Sequence, residues 1–286
     1  MSGRTATVLA ASLACMLLLL SMVPAVDAAR GGVHGPPSPK PTASPTPTPD
    51  PNATPTPTPT PSPTPTATPT TRLEGLDVSV YQNTIDWAKV KAAGKKFAMI
   101  RASAGSLTDD TQYEANRAGA RANGIPFSAY HYANPDVTST KTVTQDATLE
   151  VNWFLQNATP ASGDMIPALD VEVTNGLSVS QMQSWVATWL QGVSSATGVK
   201  PMIYASPNFW STAMGNTTQF ADAGYKVLWI AHWTTASSPT VPASNWGGNG
   251  WTFWQYTSSG TVSGISGNVD LDRYNGLTLD PLLFIP

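Results

Sequence analysis

The chain has 286 residues, a formal net charge of −3 at pH 7 and 12% charged residues. A nucleic-acid binder would show a basic stripe, and this mildly acidic composition argues against one, so we expect no nucleic-acid partner. The single cysteine, Cys15, excludes an intramolecular disulfide, and we expect a core large enough to hold the protein together without one.

Residues 1–28 have the pattern of an export signal. Arg4 precedes the apolar run VLAASLACMLLLLSMV, and the small residues of AVDAA offer a cleavage site after Ala28. An uncleaved membrane anchor and a lipoprotein signal at SLAC are the alternatives. We favour cleavage because Pro24 and small residues follow the apolar run. The pattern predicts a secreted protein, extracellular or associated with the cell wall, with no stable membrane span and no cysteine once the signal is removed.

Residues 29–71 are predicted to be a disordered linker. From about Gly35 to Thr71 the sequence is a Pro/Thr tract with almost no apolar residues, and such a chain cannot bury enough surface to fold. It is either a semi-rigid stalk, which would let a folded domain reach into a wall, or a solubilising tail. The sequence favours neither interpretation.

Residues 72–286 hold every Trp, Tyr and Phe of the chain and are predicted to form one folded domain. Short apolar strands alternate here with amphipathic helices. The strands are predicted at 75–80, 97–103, 126–133, 165–173, 201–206, 226–233, 250–258 and 267–274. The longer helices are predicted at 84–94, 109–124, 141–157 and 178–196. Asp109 or Asp110 is the predicted N-cap of the second helix.

This order amounts to about five βα units followed by three strands. Repeated βα units imply an α/β protein with a parallel sheet and right-handed crossovers. Closure into an irregular TIM-like barrel, without helices at its end, is the simplest architecture for this order. In such barrels the chemistry lies at the C-terminal ends of the strands.

The stretch MIPALDVEVT, residues 165–174, is predicted to be a buried strand, yet it carries Asp170 and Glu172. A buried carboxylate is unfavourable unless it is paired, hydrogen-bonded or neutralised. Residues i and i+2 of a strand share a face, so both carboxylates point the same way, late in the strand where a barrel opens. Asp77 in the first strand and Asp270 in the last strand are predicted to lie at the same mouth.

Crowded carboxylates repel one another, so at least one of them should keep its proton near neutral pH. A protonated carboxylic acid beside an ionised one is the equipment for cleaving a glycosidic bond. The acid protonates the leaving oxygen, and the anion stabilises the positive charge that develops at the anomeric carbon. The carboxylates alone therefore favour a glycosidase.

Six motifs follow one another through residues 74–276: GLDVSVYQNTIDWAKVKAAGKKFAMIRASAG, AYHYA, PALDVE, PMIYASPNFW, LWIAHW and FWQYTSSGTVSGISGNVDLDRYNG. In order and spacing they resemble glycoside hydrolase family 25, the bacterial and phage N-acetylmuramidases or lysozymes. The resemblance implies an irregular barrel that hydrolyses the β-1,4 bond between N-acetylmuramic acid and N-acetylglucosamine in peptidoglycan. The implied partner is therefore the peptidoglycan glycan strand.

The resemblance also implies catalytic roles for the carboxylates. Glu172 of DVE is implied as the proton donor, with Asp170 beside it to position the acetamido group of the substrate or the intermediate. Asp77 of GLDVS and Asp270 of GNVD complete the set, and the motif favours Asp270 over Asp272. The family implies retention of configuration, and the nucleophile, a carboxylate or the substrate's own acetamido oxygen, stays open.

Aromatic rings match the apolar faces of sugars, and the chain has ten Trp. Trp185 and Trp189 follow the apolar stripe of a helix and are predicted to be core residues. Cleft candidates lie at strand ends, where Trp229 is the alternative to Trp233, and the resemblance adds two tyrosines. The predicted substrate-binding residues are Tyr130, Tyr204, Trp233 and Trp254.

No metal and no cofactor are predicted. His131 and His232 are isolated, without the Glu or Cys spacing of a zinc site, and we expect both to be structural or rim histidines.

Two alternatives to a muramidase stay open. A chitinase-like glycosidase of family 18 also has an Asp-x-Glu strand, but that family carries a further Asp four residues before its acid, where this chain has Ala168. A non-catalytic cell-wall-binding module would have lost the acid, and this chain keeps Glu172. We expect the protein to be a monomer.

Overall fold

The computed structural model describes residues 72–285, so the predictions for the export signal and the linker lie outside the described residues. The strands are β1 (Glu74–Val78), β2 (Phe97–Ala104), β3 (Thr108–Asp109), β4 (Phe127–Tyr132), β5 (Ala168–Asp170), β6 (Met202–Ala205), β7 (Leu228–Ala231), β8 (Phe253–Gly260) and β9 (Val269–Tyr274). The helices are α1 (Trp87–Ala92), α2 (Tyr113–Ala122), α3 (Val143–Asn157), α4 (Val179–Thr197), α5 (Pro207–Thr212), α6 (Gln219–Asp222) and α7 (Pro242–Gly247). Two short 3₁₀ turns lie at Val80–Gln82 and Asp280–Leu282.

Eight of these strands close into a barrel. Around the ring, β1, β2, β4, β5, β6, β7 and β8 run parallel, and β9 is antiparallel to both of its neighbours, β8 and β1. The two-residue strand β3 pairs only with β2, outside the ring. The predicted α/β class and barrel closure are therefore confirmed.

The predicted count of five βα units followed by three helix-free strands does not describe the chain. Two short helices, α5 and α6, form the crossover after the fifth barrel strand, β6, but α7 lies between β7 and β8, so the last three strands are not free of helix. In α7 the residues 243–246 have φ between 52° and 58°, so this turn is left-handed. Left-handed turns are unfavourable for non-glycine residues. Tertiary contacts hold this one, since the buried Trp246 donates its indole N–H to the Tyr225 carbonyl at 2.9 Å.

Two local predictions near the barrel mouth need correction. Strand β5 ends at Asp170, so Glu172 lies in the loop beyond it and is exposed. Neither Asp109 nor Asp110 caps α2, whose N-cap position is Gln112. Asp110 Oδ2 accepts the Arg101 Nε–H at 2.9 Å and the Val80 amide at 2.8 Å, and its Oδ1 accepts the Gln112 amide at 3.0 Å in the turn before the helix.

The helices form an outer layer on the barrel. Strand residues alternate between this layer and the barrel interior, as the pleat requires. Trp185 and Trp189 of α4 are buried in the outer layer, as predicted. Ser178 and Gln181 form a capping box that starts α4, and Gly198 ends it in the left-handed conformation.

The barrel interior divides into two ends. The end at the N-termini of the parallel strands is filled by apolar side chains from several strands and by the C-terminal segment. They include Phe97, Met99, Met165, Met202, Phe253, Leu279 and Leu282. The opposite end carries the polar side chains described below. Within residues 72–285 we find no helix with the length and apolar character that a membrane crossing needs.

Candidate active site

The four predicted carboxylates meet at the open end of the barrel. Asp170 is the last residue of β5, paired with Tyr132 of β4 on one side and Tyr204 of β6 on the other. Asp77 of β1 lies directly opposite Asp270 of β9 in the antiparallel pair. The charge of Asp270 raises the pKa of both Asp77 and Asp170, so these three carboxyl groups are close enough to interact.

Asp272 is a fifth carboxyl group in this cluster. It faces the interior two residues along β9 from Asp270, opposite Gly75, and it is completely buried. The Trp229 indole N–H donates to its Oδ1 at 2.7 Å. From the family motif we predicted that Asp270, and not Asp272, belongs to the catalytic set. Strand alternation places both on the inner face.

Asp170 and Glu172 behave as a hydrogen-bonding pair. Burial raises the pKa of Asp170 well above its ordinary value, and the neighbouring Glu172 raises it further. Glu172 is an exposed residue, but the surrounding protein still desolvates its carboxyl group and raises its pKa, while the hydrogen bond with Asp170 lowers it. The pair therefore binds one proton more tightly than isolated carboxyls do, and that proton is shared with a preference for Asp170.

The second group of acids, Asp77, Asp270 and Asp272, is coupled in the same way. Burial raises the pKa of Asp77 well above its ordinary value, and the charges of Asp270 and Asp272 add to this effect. Burial also raises the pKa of Asp270 to about 6 and that of Asp272 to about 7. Hydrogen bonding to Asp77 opposes both of these increases, so a proton on this group of acids is held preferentially by Asp77.

Gln255 of β8 links the carboxylates to the rim, and sequence reasoning missed it. Its Nε2 donates to Asp77 Oδ2 at 2.8 Å and to Asp270 Oδ2 at 3.4 Å. Its Oε1 accepts the Tyr204 hydroxyl at 3.2 Å and the Trp233 indole N–H at 3.1 Å. The Gln255 side chain in the motif FWQY carries no charge and belongs to no recognised catalytic motif, so only the fold identifies its role.

The predicted aromatic residues separate into three positions. Tyr130 and Tyr204 are buried inside the barrel, where both rings pack against Trp229. Trp233 lies beyond the end of β7 and is 52% exposed, so it is the tryptophan that a ligand could reach. Trp254 is 1% exposed and lies in the outer layer, where its indole donates to the His232 carbonyl at 2.7 Å. It points away from the carboxylates because it neighbours the inward-facing Gln255.

Arg101 of β2 and Tyr132 of β4 also belong to the site and were missed. The charge of Arg101 lowers the pKa of Asp170, against the larger effect of burial. Its guanidinium is bonded to Asp110 and lies 5.2 Å over the Tyr81 ring. Burial and the charges of Glu172 and Asp170 raise the pKa of the Tyr132 phenol. Strand alternation was the available signal for Tyr132, since it shares a face with Tyr130.

The two histidines have structural partners, as predicted. His131 points away from the carboxylates into the outer layer, and His232 Nδ1 accepts the Thr240 amide at 2.9 Å. Among the described residues, no three His, Cys, Asp or Glu side chains are arranged to hold a metal ion.

This arrangement is suited to acid catalysis on a neutral substrate. The cluster holds more acid groups than positive charges, it stores protons near neutral pH, and one of its acids, Glu172, reaches solvent. Comparison with known proteins identifies the type of enzyme. The profile of Glycosyl hydrolases family 25 matches residues 76–265.

The chain belongs to glycosyl hydrolase family 25.

Relatives of this glycoside hydrolase are similar to it in sequence along most of their length. Lysozyme M1 of Streptomyces globisporus is 35% identical over 216 residues, which are 72% of this chain and 69% of that protein. An N,O-diacetylmuramidase of Arthroderma benhamiae is 32% identical over 213 residues, covering 71% of this chain and 83% of the relative. The crystal structure of the bacterial lysozyme from Streptomyces coelicolor superimposes with a TM-score of 0.65 at 33% identity, covering 74% of this chain and 95% of that one.

Proposed function

We propose that this family 25 enzyme is a lysozyme that hydrolyses the β-1,4 bond between N-acetylmuramic acid and N-acetylglucosamine in peptidoglycan. The single observation that carries the proposal is the acid pair at the barrel mouth. Asp170 is buried at the end of β5, which raises its pKa, and the exposed Glu172 lies beside it and raises that pKa further. The names of the relatives supply the substrate class, since they are lysozymes and muramidases.

Glu172 is the proton donor in this proposal. It is the member of the pair that a glycosidic oxygen can approach, because Asp170 is buried at the strand end. The shared proton moves from Asp170 to Glu172 and from there to the leaving oxygen, so the pair acts as one acid and both carboxyl groups are left ionised. Asp170 then remains beside the reacting sugar and orients its acetamido group or the intermediate.

Asp77 and Asp270 support the positive charge that develops at the anomeric carbon. Their coupled pKa values leave the group partly ionised near neutral pH, and an anion in a water-poor site stabilises a cationic transition state strongly. We propose that cleavage retains the anomeric configuration. Tyr130 and Tyr204 line the interior beneath the sugar, and Trp233 offers its exposed ring as a stacking surface at the rim.

The decisive experiment compares the wild type with Glu172→Gln on purified peptidoglycan. We expect the wild type to release fragments that end in reducing N-acetylmuramic acid, identified by mass spectrometry, and to release nothing from chitin. Glu172→Gln removes the proton and little volume, so we expect kcat to fall by about 10²–10⁴-fold while wall binding is retained.

The outcomes separate the alternatives. Release from chitin instead of peptidoglycan would support a chitinase-like enzyme. Wall binding without any cleavage by the wild type would support a non-catalytic module. Full activity of Glu172→Gln would show that the acid is misassigned. A matched control is Glu114→Gln on α2, an exposed glutamate paired with Arg117, which should cleave like the wild type.

We further propose that the enzyme acts outside the cell, as a monomer, on wall glycan strands. The support is the export-signal pattern of residues 1–28, since peptidoglycan lies beyond the cytoplasmic membrane. N-terminal sequencing of protein recovered from the medium should begin at Ala29, and light scattering should give the monomer mass. A cell-bound chain that still starts at Met1 would contradict the export proposal.

A further inference from the structure

Gln255 has a single possible orientation in this structure. An indole N–H can only donate a hydrogen bond, so the Gln255 atom 3.1 Å from Trp233 Nε1 must be the carbonyl oxygen. The same oxygen accepts the Tyr204 hydroxyl. The amide nitrogen therefore has to face the opposite side, where Asp77 and Asp270 lie.

The opposite side is constrained in turn. An amide NH₂ group can only donate, so Asp77 Oδ2 and Asp270 Oδ2 are the acceptors, a role that favours the unprotonated form of each oxygen. A proton on Asp77 is therefore favoured on its other oxygen. Trp233, half exposed at the rim, is thus connected through one buried side chain to the ionisation of two interior acids.

We propose that Gln255, held in one orientation by the Trp233 indole N–H, is a positioning residue that keeps the facing oxygens of Asp77 and Asp270 unprotonated and fixed during catalysis. This inference rests on the proposed lysozyme function. It assigns Trp233 a second task besides stacking on a sugar, because its N–H determines which way the buried amide points.

Several ionisable groups surround Gln255 and contribute to the pH dependence of catalysis. Asp77 faces it from β1, Asp270 and Asp272 from β9, and Tyr204 from β6. Asp170 acts on Asp77 through space from β5, Asp270 acts on both Asp170 and Glu172, and Arg101 acts on Asp170 from β2. Of these, only Asp77 and Asp270 accept a hydrogen bond from the amide.

Trp233→Phe separates the two tasks of Trp233, since it keeps an aromatic ring for stacking and removes the N–H. We expect kcat to fall about tenfold, the effect of one lost hydrogen bond, with little change in KM. Trp210→Phe is the matched control. It removes an indole hydrogen bond of the same 3.1 Å length, from Trp210 to the Thr217 carbonyl in the outer layer, and kcat should stay unchanged.

Gln255→Met tests the amide itself. It preserves length and removes the donor to Asp77, whose pKa the Gln255 hydrogen bond lowers. We expect the acid limb of the kcat–pH profile to move to higher pH, which a purely structural role would not produce. In this background Trp233→Phe should have no further effect on kcat, because the partner of the N–H is gone. Equal losses from Trp233→Phe in both backgrounds would overturn the proposal.

A titration tests the inference without any activity. In aspartate-labelled protein, carbon-13 NMR follows each carboxyl group in the wild type, Trp233→Phe and Gln255→Met, with thermal unfolding as a check on folding. We expect the apparent pKa values of Asp77 and Asp270 to rise in both variants. Unchanged titrations would refute the positioning role even if the wild type is an active lysozyme. Raised values would support it even if the wild type cleaves no peptidoglycan.

Discussion

Two buried polar clusters lie on opposite faces of β4 and have opposite character. On the outer face, His131 bonds Ser103 Oγ through Nδ1 and Glu150 Oε2 through Nε2, both at 2.8 Å. Glu150 Oε2 also accepts the Asn134 amide at 3.1 Å, and the imidazole ring stacks on Trp189. Each ring nitrogen of the buried histidine has a partner, and the cluster joins β2, β4 and α3.

On the inner face, the acids have fewer hydrogen-bond donors than acceptor oxygens. Among the described residues, Asp170 Oδ1 and Asp272 Oδ2 are buried and have no hydrogen-bond donor. Arg101, a cation close to Asp170, is already bonded to Asp110. The difference teaches that a cluster in which every polar atom has a hydrogen-bond partner stabilises the fold. An excess of carboxyl groups instead binds protons near neutral pH and lowers stability.

The largest expected effect tests the inner cluster. Asp170→Asn leaves the shape of the site but cannot share a proton with Glu172, so we expect kcat to fall by about 10²–10⁴-fold. The free energy of unfolding should not fall, because a strained acid is replaced by a neutral amide. Peptidoglycan turnover and urea unfolding measure the two quantities. A destabilised variant with normal turnover would reverse our assignment, and Asp136→Asn at the surface should change neither.

The next effect tests the outer cluster. Glu150→Leu leaves the His131 Nε2 and the Asn134 amide buried without a partner, which should lower the free energy of unfolding by about 2–4 kcal/mol. Turnover per folded molecule should be retained, since Glu150 faces away from the carboxylates. Urea denaturation with activity on the folded fraction provides the measurement.

A matched control accompanies this variant. Glu114→Leu makes the same substitution at an exposed helix position and should change the unfolding free energy by less than about 0.5 kcal/mol. Equal stability of the two variants would mean that the outer cluster has no structural role.

The smallest effect is the pH dependence of stability. The pKa of Asp270 rises to about 6 and that of Asp272 to about 7 in the fold, above the ordinary 3.8. Between about pH 4 and 7 the folded state therefore binds more protons than the unfolded chain does. This contribution to stability is fully present below pH 4 and is lost as the pH rises through 6 to 7.

We therefore expect Tm to fall by a few degrees between pH 5 and pH 7.5. Asp272→Asn removes one of the titrating groups, so its Tm should exceed the wild-type value at pH 7.5 and depend less on pH. Calorimetry at both pH values measures this. A wild-type Tm that rises across the interval would contradict the crowding of the inner acids.

How far the site could be predicted is visible in β8 and β9. Asp270 was found because a family motif marks it, whereas Asp272 shares its face and was set aside. Trp254 was predicted to bind substrate from its position near a strand end, but side-chain parity turns it outward and turns Gln255 inward. Which face of the strand a side chain takes depends on the strand register. The register is set by pairing with neighbouring strands, and the local sequence carries no information about that pairing.

Local sequence determined the strands and longer helices, the barrel class and the carboxylates of the DVE motif, because periodicity and the cost of burying charge act within a few residues. The tertiary structure decided which oxygen faces which donor, where Glu172 emerges from the strand, and that Gln255 joins Trp233 to Asp77. Those contacts join residues far apart in the chain, such as Asp77 and Gln255, and only closure of the ring brings them within hydrogen-bond distance.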